Sequence, residues 1–201
     1  MTGREAGASQ QVRDAMPVAE MEGTRINQSV VRLIRDDITD LEVEAFVLYA
    51  QRDLALGSGF GGAIAMRGGP SVQKELDEMA PIETGEAVVS GAGKLKAEYI
   101  IHAVGPRFQE EDTEKKLRDT MLASLRRAEE KGIKSLAFPA MGAGYHGVAP
   151  AVSARVMLES LREHLGGDSA LAEVTICVFD TPQFDSFQSA LADLGKTEKL
   201  T

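Results

Sequence analysis

Six apolar runs recur along the chain, SVVRLI, VEAFVLYA, EAVVS, AEYIIHAV, SLAFPAM and VTICVFD, and most are separated by enough residues for a helix. Several lack strict alternation of apolar and polar residues. A strand with one wet face must alternate, whereas a strand covered on both faces need not. The stretches between the runs carry the helical period instead. EKKLRDTMLASLRRAEEKG sets Leu117, Met121, Leu125 and Ala128 on one stripe and stops at Gly132. APAVSARVMLESLREHLGG repeats the pattern with Val152, Val156, Leu161 and Leu165. Pro70 suits the first turn of PSVQKELDEMA, and Pro182 the start of PQFDSFQSALADLG, because the first N–H groups of a helix have no partner to lose. Strands alternating with helices over short joins predict an α/β domain, with helices on both faces of a mostly parallel sheet. Ligands of such sheets bind beyond the carboxyl ends of the strands.

Composition narrows the function classes. At 201 residues the chain suits one domain. Residues 1–25 mix Gly, Ser, Gln and charge without an apolar period and read as a mobile tail; residues 26–195 form the domain and 196–201 a C-terminal tail. A formal charge of -9 argues against binding long nucleic acid or an anionic membrane, both of which require clustered Lys and Arg. The lone cysteine, Cys177, lies in an apolar run as a small hydrophobe, so neither a disulfide nor a thiolate metal site can be assembled, and a cytoplasmic setting is expected. The N-terminus lacks the apolar core of a signal peptide, and no apolar run approaches the ~18 residues needed to cross a bilayer.

Two glycine-rich runs carry the chemistry. FPAMGAGYHGVAP runs from a strand into Gly142, Gly144 and Gly147 with no Lys or Arg beside it. A turn of this kind between a strand and a helix aims several N–H groups at one spot, an anion seat that needs no cationic side chain. The other run, LGSGFGGAIAMRGG, satisfies G-x-G-x-x-G at Gly57, Gly59 and Gly62, but QRDLA separates it from the preceding strand and no strand-terminal acid lies about 20 residues later to take a ribose hydroxyl. A dinucleotide fold is therefore disfavoured, and the P-loop pattern is absent. Two such loops, each opening a helix, suit a diphosphate held from both sides. Asp37, just after a strand, fits a helix N-cap and also a carboxylate that accepts from an adenine amino group. His102, His146 and His164 share no metal-ligand spacing, and only His146 sits in a candidate site.

In order, RDDITDLEVEAFV, GFGGAIAMRGGPS, GEAVVSGAGKLKAEYIIHAVGP, GIKSLAFPAMGAGYHG and VTICVFD resemble a macro domain, the family that binds ADP-ribose and its relatives. The resemblance spans Ser29 to about Leu194. It implies a three-layer α/β/α fold around a mixed, mostly parallel sheet, with a crest cleft that holds ADP-ribose without metal or cofactor. It implies that Asp37 recognises adenine N6, with the backbone of Ile38 beside it. Gly57, Ser58, Gly59, Phe60, Gly61 and Gly62 match the first phosphate loop. Met141, Gly142, Ala143, Gly144, Tyr145, His146 and Gly147 match the second, around the diphosphate and distal ribose. Phe179, or alternatively Phe184, matches the aromatic placed against adenine.

The departures point away from efficient hydrolysis. Where hydrolytic members carry Asn-Ala-Ala-Asn, this chain has Leu48, Tyr49, Ala50 and Gln51, and Gly61 stands where they carry an acid in the first loop. The resemblance therefore implies a module for ADP-ribose or ADP-ribosylated protein with weak or no catalysis. One alternative is an ADP-ribosyl hydrolase or O-acetyl-ADP-ribose deacetylase in which His146, the catalytic candidate, or a substrate phosphate positions water. A module for another nucleotide or an RNA end is a third reading.

Overall fold

The computed structural model describes residues 23–57 and 59–198, apart from the side chains of Tyr145 and residues 195–198. Seven strands, β1 (Thr24–Ile26), β2 (Ser29–Arg35), β3 (Ala45–Ala50), β4 (Ala87–Gly91), β5 (Tyr99–Val104), β6 (Ser135–Phe138) and β7 (Glu173–Val178), form one sheet in the order β1-β2-β7-β6-β3-β5-β4. The four contacts from β2 through β7, β6 and β3 to β5 are parallel, and β1 and β4 close the two edges antiparallel. Five helices accompany them: α1 (Gly59–Gly68), α2 (Pro70–Met79), α3 (Thr113–Lys131), α4 (Pro150–Leu165) and α5 (Thr181–Glu198).

Each face of the sheet is sealed by its own apolar cluster, which is why the strands lack alternation. Leu117, Met121 and Leu125 of α3, Met157 and Leu161 of α4 and Phe187 of α5 pack with Val31, Leu33, Val47, Ile101 and Val174 on one face. Ile64 of α1 and Val72 and Leu76 of α2 pack with Phe46, Leu48, Ile100 and Val104 on the other. The result is the three-layer α/β/α arrangement. Among the described residues, no helix is long and apolar enough to cross a membrane.

The domain begins earlier than the composition suggests. Thr24–Ile26 pairs with Ser29–Val31 through a tight turn at Asn27, and the Asn27 amide donates to Gly167 O at 3.2 Å beyond the end of α4. Three residues are too few to display a period, so β1 has no sequence signature. Residues 1–22 lie outside the described residues.

Phe184 is withdrawn from the site, since it is packed into the core with Phe187 and Leu191. Phe46 joins the second cluster to the crest: it is fully buried, and its ring lies 6.4 Å from that of Phe60 in a tilted arrangement. Phe46→Ala is expected to lower the unfolding free energy by about 3–5 kcal/mol, the cost of deleting a buried ring. Denaturant unfolding monitored by circular dichroism measures this.

Candidate functional site

Parallel strands end on the same side, so the loops after β2, β3, β5, β6 and β7 gather along one crest. A cleft of about 620 Å³ opens there. Residues 48–51 and 53–57 and Gly59, Phe60 and Gly61 form one wall; Pro139, Ala140, Gly142, Ala143 and His146 form the other, and His102 borders the inner end. The two glycine runs, far apart in sequence, thus face each other.

The first run differs from a simple loop. Gly59 opens α1, so Gly61 and Gly62 belong to its first turn rather than to the loop. Gly61 is glycine because of close approach: a Cβ there would lie 3.0 Å from the Leu56 carbonyl carbon and nearer still to its oxygen. An acid cannot be accommodated at position 61 while this turn keeps its course. Ser58 lies outside the described residues.

The second run turns after β6. Val148 N–H donates to Gly142 O at 3.0 Å and Gly147 N–H to Gly144 O at 3.0 Å, closing a 3-10 turn over Gly144–His146 before α4 begins at Pro150. Gly144 has φ +73, in the left-handed region, with open space around its Cα. Met141 does not present its side chain to the cleft: it is fully buried, and its carbonyl accepts from Ser153 Oγ at 2.8 Å. Gly62, Gly144 and Tyr145 flank the cleft rather than line it, and the side chain of Tyr145 lies outside the described part of the structure.

Asp37, Ile38 and Phe179 sit apart from these walls, at the neighbouring strand ends. Arg35 is paired with Val178, so Asp36 and Phe179 leave the sheet side by side. The Cys177 thiol donates to Asp36 O at 3.2 Å, and burial pushes this thiol up to about 12, which keeps the donor proton in place. Asp37 caps the 3-10 turn Ile38–Asp40: its Oδ1 accepts from Thr39 N–H at 3.0 Å and from the Thr39 hydroxyl at 2.6 Å. Its Oδ2 faces Arg67 Nη1 at 3.2 Å, and Arg67 also reaches Thr39 Oγ1 and Asp40. Ile38 buries its side chain in the core, so only its backbone is available. Phe179 is 64% exposed.

Three further residues belong to this neighbourhood without local sequence signals. Arg67 reaches Asp37 from the last turn of α1. Asp53 lines the cleft and accepts from Ala55 N–H at 3.1 Å. Tyr49 donates to Pro106 O at 2.6 Å, and its ring stands 4.3 Å from that of His146. Desolvation, reinforced by the Glu110 charge, raises the Tyr49 phenol, so it stays a donor. Burial lowers the His146 imidazole, favouring its neutral form. Among the described residues, no group of three or more His, Cys, Asp and Glu could hold a metal ion.

His102 is neutral for the same reason, with its pKa pushed down to about 4 by burial. The unfolded chain takes up this proton near pH 6.5 and the folded protein only near 4, so stability present above pH 6.5 declines as pH falls. The expected loss between pH 7 and pH 4 is about 3 kcal/mol for this group. Wild type and His102→Gln should converge in unfolding free energy by that amount as pH falls, and parallel pH profiles would contradict it.

Comparison with known proteins agrees with this geometry. The Macro domain family model matches residues 49–157. A protein of Pantoea vagans named O-acetyl-ADP-ribose deacetylase 2 is 31% identical over 169 residues, 80% of this chain and 98% of that one. The Oceanobacillus iheyensis macrodomain solved with ADP superposes with a TM-score of 0.85 at 25% identity, covering 90% of this chain and 100% of that one. The Trypanosoma brucei macrodomain in complex with ADP-ribose gives a TM-score of 0.75 at 26% identity, over 80% and 68%. The chain belongs to the macro domain family.

Proposed function

We propose that the chain binds ADP-ribose, free or attached to protein, in the crest cleft. The observation that carries this reading is the meeting of two glycine runs across one cleft with no cationic side chain among its described lining residues. The backbone N–H groups of Gly57–Gly62 and Gly142–Gly147 are assigned to the diphosphate, where charge-assisted contacts are about twice as strong as neutral ones. Asp37, held by Thr39 and Arg67, is assigned to adenine N6, and Phe179, exposed beside Asp36, to the adenine face. The ADP and ADP-ribose complexes of the two structural neighbours support the nucleotide class.

Titration calorimetry tests this. ADP-ribose should bind more tightly than AMP or NAD, with the same affinity in chelator. Asp37→Ala should weaken binding by about 1.5–3 kcal/mol, the range for losing a hydrogen bond to a charged group. Gly144→Val should nearly abolish binding in a folded domain, because a β-branched residue resists the left-handed backbone there. Preference for AMP, or full binding by Gly144→Val, would remove the diphosphate from this cleft.

The relative named as a deacetylase favours a second reading, turnover at the distal ribose. Leu48 and Gly61 offer no polar side chain to orient water there. Losing such positioned groups commonly costs ~10²–10⁴ in rate. Hydrolysis of mono-ADP-ribosylated protein and of O-acetyl-ADP-ribose should therefore fall far below that of an Asn-bearing relative assayed alongside. Comparable turnover would establish catalysis, and loss of that turnover in His146→Ala would make His146 its base.

A further inference from the structure

Among the described residues, His102 is the one buried side chain lining the cleft that has a polar atom left over. It projects from β5 opposite Leu48 of β3, on the face of the sheet covered by α1 and α2. Its Nε2 lies 2.7 Å from Ser90 Oγ on the adjacent strand β4. The Ser90 hydroxyl also has Gly91 O as an acceptor at 3.1 Å, and when turned that way it accepts from the imidazole. In that arrangement the His102 proton sits on Nε2 and Nδ1 is a bare acceptor. That Nδ1 is buried and has no hydrogen-bond partner among the described residues.

A buried acceptor without a partner carries a desolvation cost, and native structures meet such a group with water or ligand. The surroundings leave few alternatives. Leu48 and Val88, its neighbours on the flanking strands, have no donor in their side chains, and His102, although fully buried, is one of the residues that line the cleft. Burial keeps the ring neutral throughout the physiological range, so Nδ1 remains an acceptor rather than becoming a cationic donor.

We propose that His102 Nδ1 is a binding determinant of the cleft, accepting a hydrogen bond from an O–H group of the bound nucleotide, directly or through one water. The proposal rests on the ADP-ribose reading and adds a neutral acceptor at the inner end, beside the position where Leu48 supplies none. A ribose hydroxyl has the required chemistry, and a phosphate, which presents only acceptors near neutral pH, does not.

The two amide replacements of histidine separate this role from a structural one. His102→Gln carries its amide at the distance of Nε2, keeping a donor toward Ser90 while leaving nothing at Nδ1. His102→Asn places its carbonyl near Nδ1 and gives up the Ser90 contact. Calorimetry with ADP-ribose, well below the unfolding midpoint of each variant, should show binding weakened roughly five- to tenfold in His102→Gln and less than about threefold in His102→Asn. Equal weakening in both, or wild-type binding by His102→Gln, would overturn the proposal.

Nitrogen-15 NMR of wild type tests the same point without a variant. The Nε2–H tautomer is expected, with the Nδ1 resonance displaced upfield by hydrogen bonding when ADP-ribose saturates the protein. Displacement only with ligand identifies the nucleotide hydroxyl, and displacement already present in the free protein identifies a held water. A proton on Nδ1, or a free-acceptor resonance in both states, would overturn the proposal. Absence of any binding heat in wild type would instead strike the ADP-ribose reading, and the free-protein spectrum would still decide whether a water occupies Nδ1.

Discussion

Parallel pairing across the centre of the sheet is the constraint on which the rest depends. Because β2, β7, β6, β3 and β5 all run the same way, every connection between them must cross a face and return, which puts helices on both sides. The same direction sends five strand ends to one edge. Two glycine runs separated by α2, β4, β5, α3 and β6 can then converge, although nothing in their own sequences brings them together.

The crest divides the work between backbone and side chains. Across the cleft, Gly57, Gly59, Gly61, Gly142 and Ala143 present backbone more than side chain. At the ends of β2 and β7 the arrangement is the reverse, since Asp37 is held by Thr39 and Arg67 and the preceding peptide is tethered to Cys177. A carboxylate fixed in this way loses little rotamer freedom when a donor arrives. The Tyr49 hydroxyl performs a related service at the opposite side, tying β3 to the loop after β5 while its ring supports His146.

The fold was legible because its signals are local. The buried strands around Phe46, Ile101 and Ile176 display continuous apolar runs, and α3 and α4 display stripes with recognisable ends. What escaped was either too short or too distant in sequence. β1 has three residues, and α1, with four glycines in ten residues, is helical through its packing on Leu56 and Phe46 rather than through propensity. Arg67 beside Asp37, His146 against Tyr49 and the Ser90–His102 pair are products of strand order, which no local pattern encodes. Met141 looked like part of a loop because it stands next to Gly142, yet the chain turns only after its side chain has entered the core.

The contact between the first turn of α1 and the Leu56 carbonyl also bears on how such a chain changes over generations. With no room for a Cβ at Gly61, a codon change to an acid there meets a steric barrier before any gain in chemistry can be selected. The backbone at Leu56 would have to move away first. An acid at this position is thus hard to gain, and the close approach of Gly61 to the Leu56 carbonyl holds the turn to glycine.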